Sequence, residues 1–91
     1  MTVTFDPAKS EHNQALRGLA FGLADSFEWD TALILEDARK DYAERRYPAI
    51  GLIAGRLHML VFTPRDGVVH VISPRRANER ERNRYATQAR P

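Results

Sequence analysis

The chain contains no cysteine, which excludes a disulfide framework and any zinc site built on thiolates. Its three histidines are scattered without the spacing of metal ligands, so we expect no metal and no other cofactor. No apolar run approaches the roughly 20 residues of a membrane-spanning helix, and Asp6 and Lys9 interrupt any signal-peptide pattern at the N-terminus. These absences favour a cytoplasmic protein, and 91 residues predict a single domain over residues 1–91.

Lysine is also scarce, because twelve of the fourteen cationic residues are arginine. A guanidinium group binds phosphate or carboxylate through two parallel hydrogen bonds, which an ammonium group cannot do. Residues 73–91 carry six arginines and two glutamates, a net charge of +4, so the rest of the chain has a net charge of −2. This segment is the natural surface for a polyanion or an acidic protein. From charge alone, however, the favoured interpretation is a solvated helix face on which Glu79 pairs with Arg82 and Glu81 pairs with Arg84.

Two N-terminal helices are predicted ahead of a sheet. Asp6 followed by Pro7 is a typical helix start. The first helix therefore runs from Pro7 to Arg17, and Gly18 terminates it. Apolar residues at spacings of three and four then predict a short second helix that ends near Trp29.

The rest of the chain predicts a sheet and a closing helix. Four segments rich in β-branched, aromatic and aliphatic residues are expected to be strands, namely Thr31–Leu35, Arg45–Ala54, Leu57–Thr63 and Val68–Ser73. Short turn sequences separate the last three, which predicts consecutive antiparallel hairpins. The charged residues 36–44 predict a solvated loop, and Ala77–Gln88 predicts a helix with few apolar residues. The predicted class is α+β, an antiparallel sheet of about four strands with two N-terminal helices packed on it and a C-terminal helix.

Pairing of the last two strands predicts a basic groove on one face of the sheet. If their loop has two or four residues, Arg56 and His58 share a face with Arg75. A three-residue loop would place Arg76 there instead. Ser73 adds a hydroxyl group to the face of Arg75 in the first case. A groove with two arginines, a histidine and a hydroxyl group suits a phosphodiester.

The groove contains the groups that RNA cleavage without a metal requires. In that reaction the 2′-hydroxyl attacks its own phosphate, which needs a base, an acid and cations for the phosphate oxygens. Histidine is the side chain that most often transfers protons in catalysis, so His58 is the candidate for proton transfer. The side chains of Arg56, Arg75 and Arg76 would bind the phosphate and stabilise the negative charge on its oxygens. Alternatively, His58 is a packed core residue inside an apolar strand.

Three further residues are candidates at the edges of the groove. Glu44 and Arg46 precede a strand and supply a carboxylate and a cation, although such a cluster also serves as an edge-strand guard against aggregation. Tyr85 either stacks on a base or is the one large apolar anchor of the closing helix. His70 falls on the opposite face and is predicted to be structural.

Several short motifs follow one another along nearly the whole chain. They are Phe5-Asp6-Pro7-Ala8-Lys9 with Asn13 and Gly18, Phe21 and Phe27, Glu44-Arg45-Arg46 ahead of Ile50-Gly51, Gly55-Arg56-Leu57, and Val71-Ile72-Ser73-Pro74-Arg75-Arg76-Ala77 ahead of Glu79-Arg80. In this order and spacing they resemble the BrnT family of ribonuclease toxins, RelE-like members of type II toxin–antitoxin systems. The family usually has Lys-His where this chain has Leu16-Arg17, and alanine where it has Pro74.

The resemblance implies a small RelE-like α+β domain that cleaves RNA and slows translation. It also implies neutralisation by a BrnA-like antitoxin, a ribbon-helix-helix dimer that would form a 2:2 complex and make most of the contact with DNA. By position, the resemblance adds Arg80 to the RNA-binding candidates.

Two functions of different class follow from these observations. The first is a metal-independent endoribonuclease toxin, with Glu44, Arg56, His58, Arg75 and Arg76 as catalytic candidates and Arg46, Arg80 and Tyr85 as RNA-binding candidates. The second is a non-catalytic module that binds an acidic protein or a nucleic acid through the basic C-terminal segment. The small number of acid–base groups in the groove favours the second.

Overall fold

A computed structural model describes residues 3–17, 21–35 and 45–88 of the chain. The elements in these residues are, in chain order, β1 (Val3–Phe5), α1 (Pro7–Arg17), two 3₁₀ helices (Phe21–Ser26 and Trp29–Thr31), β2 (Leu33–Ile34), β3 (Tyr47–Ile53), β4 (Arg56–Arg65), β5 (Val68–Arg76) and α2 (Glu79–Gln88). The fold is therefore α+β, as the sequence predicts. Within the described residues no helix is long and apolar enough to cross a membrane.

The sheet has five strands rather than the expected four, in the order β1-β5-β4-β3-β2. The additional strand, β1, pairs in parallel with β5, so that Val3 lies opposite Val69. The other pairings are antiparallel, which makes the sheet mixed and corrects the prediction of a purely antiparallel one. A strand of three residues is too short for an alternating pattern to reveal it. Its pairing partner also lies more than 60 residues away, so no nearby residue indicates the pairing.

Two tight turns join the last three strands, and the predicted hairpins are confirmed. Ala54 and Gly55 connect β3 to β4, and Asp66 and Gly67 connect β4 to β5. All four residues have positive φ, with Gly55 at 78° and Gly67 at 81°. Positive φ at both central residues defines the type I′ turn, whose twist matches that of the flanking strands. Strand β4 extends closer to both turns than predicted, from Arg56 to Arg65, whereas β3 ends at Ile53, one residue before its predicted end.

A β-bulge changes the register of β4 and β5 in the middle of the hairpin. Near the turn, Phe62 lies opposite Val71, but beyond the irregularity Val61 lies opposite Ser73. The extra residue on β5 exchanges the faces of all side chains that follow it. Arg76 therefore lies opposite His58, and Arg75 lies opposite Met59 on the other face. The loop has two residues, yet the predicted placement of Ser73 and Arg75 beside His58 is wrong because of this bulge.

The helices agree with the sequence at the start of the chain and differ after it. The backbone amide of Ala8 donates to Oδ1 of Asp6 at 2.9 Å, and α1 has the predicted bounds. The second predicted helix is a 3₁₀ helix of six residues, Phe21–Ser26, in which Gly22 disfavours a longer α-helix. The closing helix is present as α2 and starts two residues later than predicted. Gly18 and the predicted loop 36–44 lie outside the described residues.

The main core lies on the face of the sheet that carries Leu60. Phe27, Leu60 and Val71 are among its buried residues. The ring of Phe27 also packs edge-on against Trp29, with ring centroids 4.7 Å apart. Each such side chain contributes roughly 1.5–3 kcal/mol through burial, so this face fixes the 3₁₀ segment firmly to the sheet.

Candidate active site

Several of the predicted arginines meet at one end of the sheet. Because β4 and β5 are antiparallel, the start of β4 at Arg56 lies beside the end of β5 at Arg76. Helix α2 begins three residues after Arg76, which places Arg80 of its first turn at the same end. We call Arg56, Arg75, Arg76 and Arg80 the arginine end of the sheet.

Within the arginine end, His58 has Arg76 and not Arg75 as its direct neighbour. Gly51, His58 and Arg76 form one row across β3, β4 and β5. Side chains directly opposite each other in an antiparallel pair have Cβ atoms roughly 5 Å apart. The exposed guanidinium of Arg76 is therefore the cation that the strand pairing places beside the imidazole.

His58 itself is buried, with 4% of its surface exposed. Its Nδ1 lies 2.8 Å from the backbone oxygen of Arg56. Since a carbonyl oxygen can only accept, Nδ1 carries a hydrogen and donates it, which leaves Nε2 as the nitrogen available for proton transfer. The structure thus gives His58 a fixed tautomer, and its burial is what the alternative interpretation of a packed histidine expects.

Arg75 is held by an ion pair within the protein. Its Nη1 and Nη2 donate to Oε1 and Oε2 of Glu81 at 2.7 and 2.6 Å. This is the bidentate fork in which guanidinium binds carboxylate most strongly. Both terminal nitrogens of Arg75 are therefore engaged by α2, and the contact joins the end of β5 to the first turn of that helix.

Glu81 also closes the start of α2. Its Oε1 accepts from the backbone amide of Asn78 at 2.9 Å, while its own amide donates to Oδ1 of Asn78 at 2.8 Å. This reciprocal pair is a capping box. Burial by itself would raise the pKa of the Glu81 carboxyl, but the hydrogen bond from Arg75, the Asn78 amide and the charge of Arg75 together lower it. Glu81 is thus ionised at neutral pH.

The remaining candidates are distributed over the molecule. Arg46 precedes β3, whose start lies opposite the end of β4. It is therefore about 20 Å from the arginine end, by the rise of the seven residues of β3. Tyr85 lies on α2 one turn after Glu81 and is half-buried, as Glu81 is. Glu44 lies outside the described residues.

Asn78 and Glu81 are the residues that the sequence interpretation missed. The spacing along the helix predicts a solvated pair of Glu81 with Arg84, but in the structure Nε of Arg84 donates to Oε1 of Gln88 on the same helix. The signal was present, because asparagine followed three residues later by glutamate at the start of a helix is a capping-box pattern. No such sequence pattern marks Arg75 as the ion-pair partner of Glu81, since this pairing depends on where β5 ends relative to α2.

The arrangement offers cations for an anionic ligand. The side chains of Arg56, Arg76 and Arg80 make no hydrogen bond or ion pair with the protein across the described ranges. Three unpaired guanidinium groups at one end of a sheet can bind successive phosphates of a nucleic acid. Within residues 3–17, 21–35 and 45–88, no three histidine, aspartate or glutamate side chains come together as metal ligands would.

Comparison with known proteins gives one family. Residues 5–81 match the model of a family described as the ribonuclease toxin, BrnT, of type II toxin–antitoxin systems. The match spans most of the 91 residues. It includes the whole arginine end together with His58 and Glu81, whereas Tyr85 lies beyond it. No curated protein matches the chain.

Proposed function

Because the chain belongs to the BrnT family of ribonuclease toxins of type II toxin–antitoxin systems, we propose that it is a metal-independent endoribonuclease that inhibits growth by cleaving RNA. The observation that carries the proposal is the arginine end, where three guanidinium groups are unpaired within the described residues. Such groups supply both the affinity for a phosphate backbone and the charge that stabilises a developing oxyanion.

In this proposal RNA lies across the arginine end. Arg56 and Arg76 bind the phosphate to be cleaved, and Arg80 binds a neighbouring phosphate from α2. Tyr85, further along the same helix, stacks on a base. Arg46 contacts a distant part of the strand, because β3 separates it from the other cations.

The proposed reaction is transfer of the phosphate to the adjacent 2′-oxygen. The 2′-hydroxyl gives its proton to a base as its oxygen forms a bond to phosphorus, the bond from phosphorus to the 5′-oxygen breaks, and the leaving oxygen takes up a proton from an acid. The products are a 2′,3′-cyclic phosphate and a free 5′-hydroxyl, and no metal takes part. His58 and Glu44 remain our candidates for proton transfer, and Nε2 is the nitrogen of His58 that would take part.

Membership of the family implies an antitoxin partner. We propose that this partner is a BrnA-like ribbon-helix-helix dimer that binds two copies of the chain in a 2:2 complex and makes most of the contact with DNA. The mass of the purified complex by light scattering tests this stoichiometry, and a 1:1 or 2:1 complex would contradict it.

The function is tested by regulated expression of Arg76→Gln in bacteria, followed by growth and by mapping of RNA ends. We expect loss of one phosphate-binding guanidinium to lower cleavage by about 10²-fold and to restore growth. Arg65→Gln is the matched control, since it removes an exposed arginine from the opposite end of β4. A folded Arg76→Gln variant that remains fully toxic would refute the role of this surface.

The purified chain then separates the two classes of function. An endoribonuclease leaves 2′,3′-cyclic or 3′-phosphate ends and continues to cleave in EDTA. The burial of His58 favours the second candidate, a module that binds nucleic acid or an acidic protein without cleaving it. RNA that is bound at micromolar protein but stays intact would support the module and refute the enzyme.

A further inference from the structure

Helix α2 contributes no fully buried residue of its own to its contact with the sheet, although Ile50 and Met59, in the same row as Arg75, are buried on that face. None of its ten residues is buried. The half-buried members are Glu81 and Tyr85, which are four residues apart and therefore lie on the same side of the helix. The helix thus meets the rest of the protein through one carboxylate and one aromatic ring.

Polar contacts at the start of α2 join the helix to the sheet. The amide of Ala77 donates to the backbone oxygen of Leu57 at 3.1 Å, and Nη1 of Arg82 donates to the oxygen of Ala77 at 2.9 Å. The ion pair of Arg75 with Glu81 is the contact that reaches from the strand to the helix with two short bonds. Its carboxylate side is well protected, with 12% of the Glu81 side chain exposed.

The same carboxylate therefore fixes two things at once. Through the capping box with Asn78 it holds the first turn of α2, and through Arg75 it holds that turn against the end of β5. Arg76 precedes this junction and Arg80 lies within the turn. The relative position of these two cations depends on the junction being closed.

We propose that Arg75 and Glu81 are a positioning pair for the RNA site, which keeps Arg80 beside Arg56 and Arg76, and that Arg75 does not itself bind RNA. This inference rests on the proposed function. Binding of a phosphate by Arg75 would require both its terminal nitrogens to leave Glu81. The half-buried carboxylate would then face an incoming anion without its partner, which is unfavourable.

The first test compares two substitutions that remove the same charge from the same turn of α2. Glu81→Gln keeps an oxygen for the capping box but loses the ionic fork, whereas Glu79→Gln changes an exposed residue that does not contact Arg75. We expect Glu81→Gln to lower RNA cleavage about tenfold and to speed amide hydrogen exchange in α2 several-fold. Glu79→Gln should stay within about twofold of the unmodified chain in both measurements.

The second test exchanges the charges. Arg75→Glu alone places two carboxylates against each other and should release α2. Arg75→Glu combined with Glu81→Arg restores an ion pair of opposite orientation but not the capping box, because arginine cannot accept from the Asn78 amide. We expect the combined variant to cleave at least tenfold faster than Arg75→Glu. If Arg75 bound a phosphate, the exchange would not rescue cleavage, and the slope of log affinity against log salt would fall by about 0.7.

These outcomes separate the inference from the function on which it rests. An unmodified chain that cleaves RNA, together with a Glu81→Gln variant equal to it, would refute the positioning pair and leave the function intact. Faster cleavage by Glu81→Gln would also refute the pair, since α2 would then be an obstacle to RNA. An unmodified chain that cleaves no RNA would refute the proposed function, and the role of the pair in an RNA site with it.

Discussion

The two faces of the sheet hold their helical segments by different forces. On the face of Leu60, the 3₁₀ segment inserts Ala24 and Phe27 into a continuous apolar core. On the face of Arg75, α2 contributes no buried residue and is tied to the strand by an ion pair with Glu81. Apolar burial contains no charge that acid could remove or salt could screen, whereas an ion pair is weakened by both. The 3₁₀ segment is therefore held by apolar burial, whereas the attachment of α2 depends in part on an ion pair that acid and salt weaken.

The largest predicted effect is on the free energy of unfolding of the Leu60→Ala variant, which tests whether the face of Leu60 holds the stabilising core. Leu60 is fully buried, so loss of its side chain removes transfer free energy and leaves a cavity. We expect the free energy of unfolding to fall by about 2–5 kcal/mol, measured by urea denaturation. Val61→Ala, at a half-buried neighbour on the other face, is the control and should cost less. A loss below about 1 kcal/mol for Leu60→Ala would contradict the assigned core.

An intermediate effect is predicted for Gly51→Ala, which tests how tightly the 3₁₀ segment is packed. A Cβ atom at Gly51 would lie 2.5 Å from Cζ of Phe27, and the ring has little room to move because it is buried. We expect a loss of about 1–3 kcal/mol in urea denaturation. Gly22→Ala is the matched control, since apart from its immediate neighbours in the chain no described atom lies within 4 Å of an added Cβ. Equal stability of the two variants would show that Phe27 is loosely held.

The smallest predicted effect is the acid response of α2, which sharpens the contrast with the core. The pKa of Glu81 is lowered in the folded protein, so its contribution is complete above the unfolded value of 4.5 and is lost as pH falls through the folded pKa. Since 38% of the Arg75 side chain is exposed, solvent screening limits this contribution to about 1 kcal/mol or less. Amide exchange of α2 at pH 6 and pH 3 measures it.

The acid response has its own control in Glu81→Gln. This variant has no carboxylate to protonate at position 81, so the difference in α2 exchange between it and the unmodified chain should be smaller at pH 3 than at pH 6. A difference that persists unchanged at low pH would mean that the charge of Glu81 does not hold the helix.

Local chemistry made much of the fold predictable. The Asp6-Pro7 start gave α1 its correct bounds because a cap acts within one turn of the chain. The two hairpins followed from turn sequences that accommodate positive φ at Gly55 and Gly67. The second helix was predicted with the wrong type, since the spacing of apolar residues does not distinguish six residues of 3₁₀ helix from a short α-helix.

The candidate site was predictable in its members and not in their arrangement. Arg56, Arg76 and Arg80 share one end of the sheet, which follows from hairpin topology alone. The neighbour of His58 could not be derived, because the bulge beyond Phe62 reversed the alternation on which the argument depended. The one local signal is Pro74, because proline inside a sheet occurs at edges and bulges, but it does not show which residue of β5 is the extra one. The roles of these residues in RNA cleavage remain predictions.

The sequence by itself determined most of the helices and strands, where the tight turns lie, and which family the chain resembles, because each depends on residues close together along the chain. Only the tertiary structure decided that Arg75 forms an ion pair with Glu81, whereas Arg76 lies opposite His58 in the sheet. It also decided that β1 joins the sheet in parallel with β5. These features depend on strand register and on contacts across the fold, and a shift of one residue in register reverses the face of every side chain beyond it.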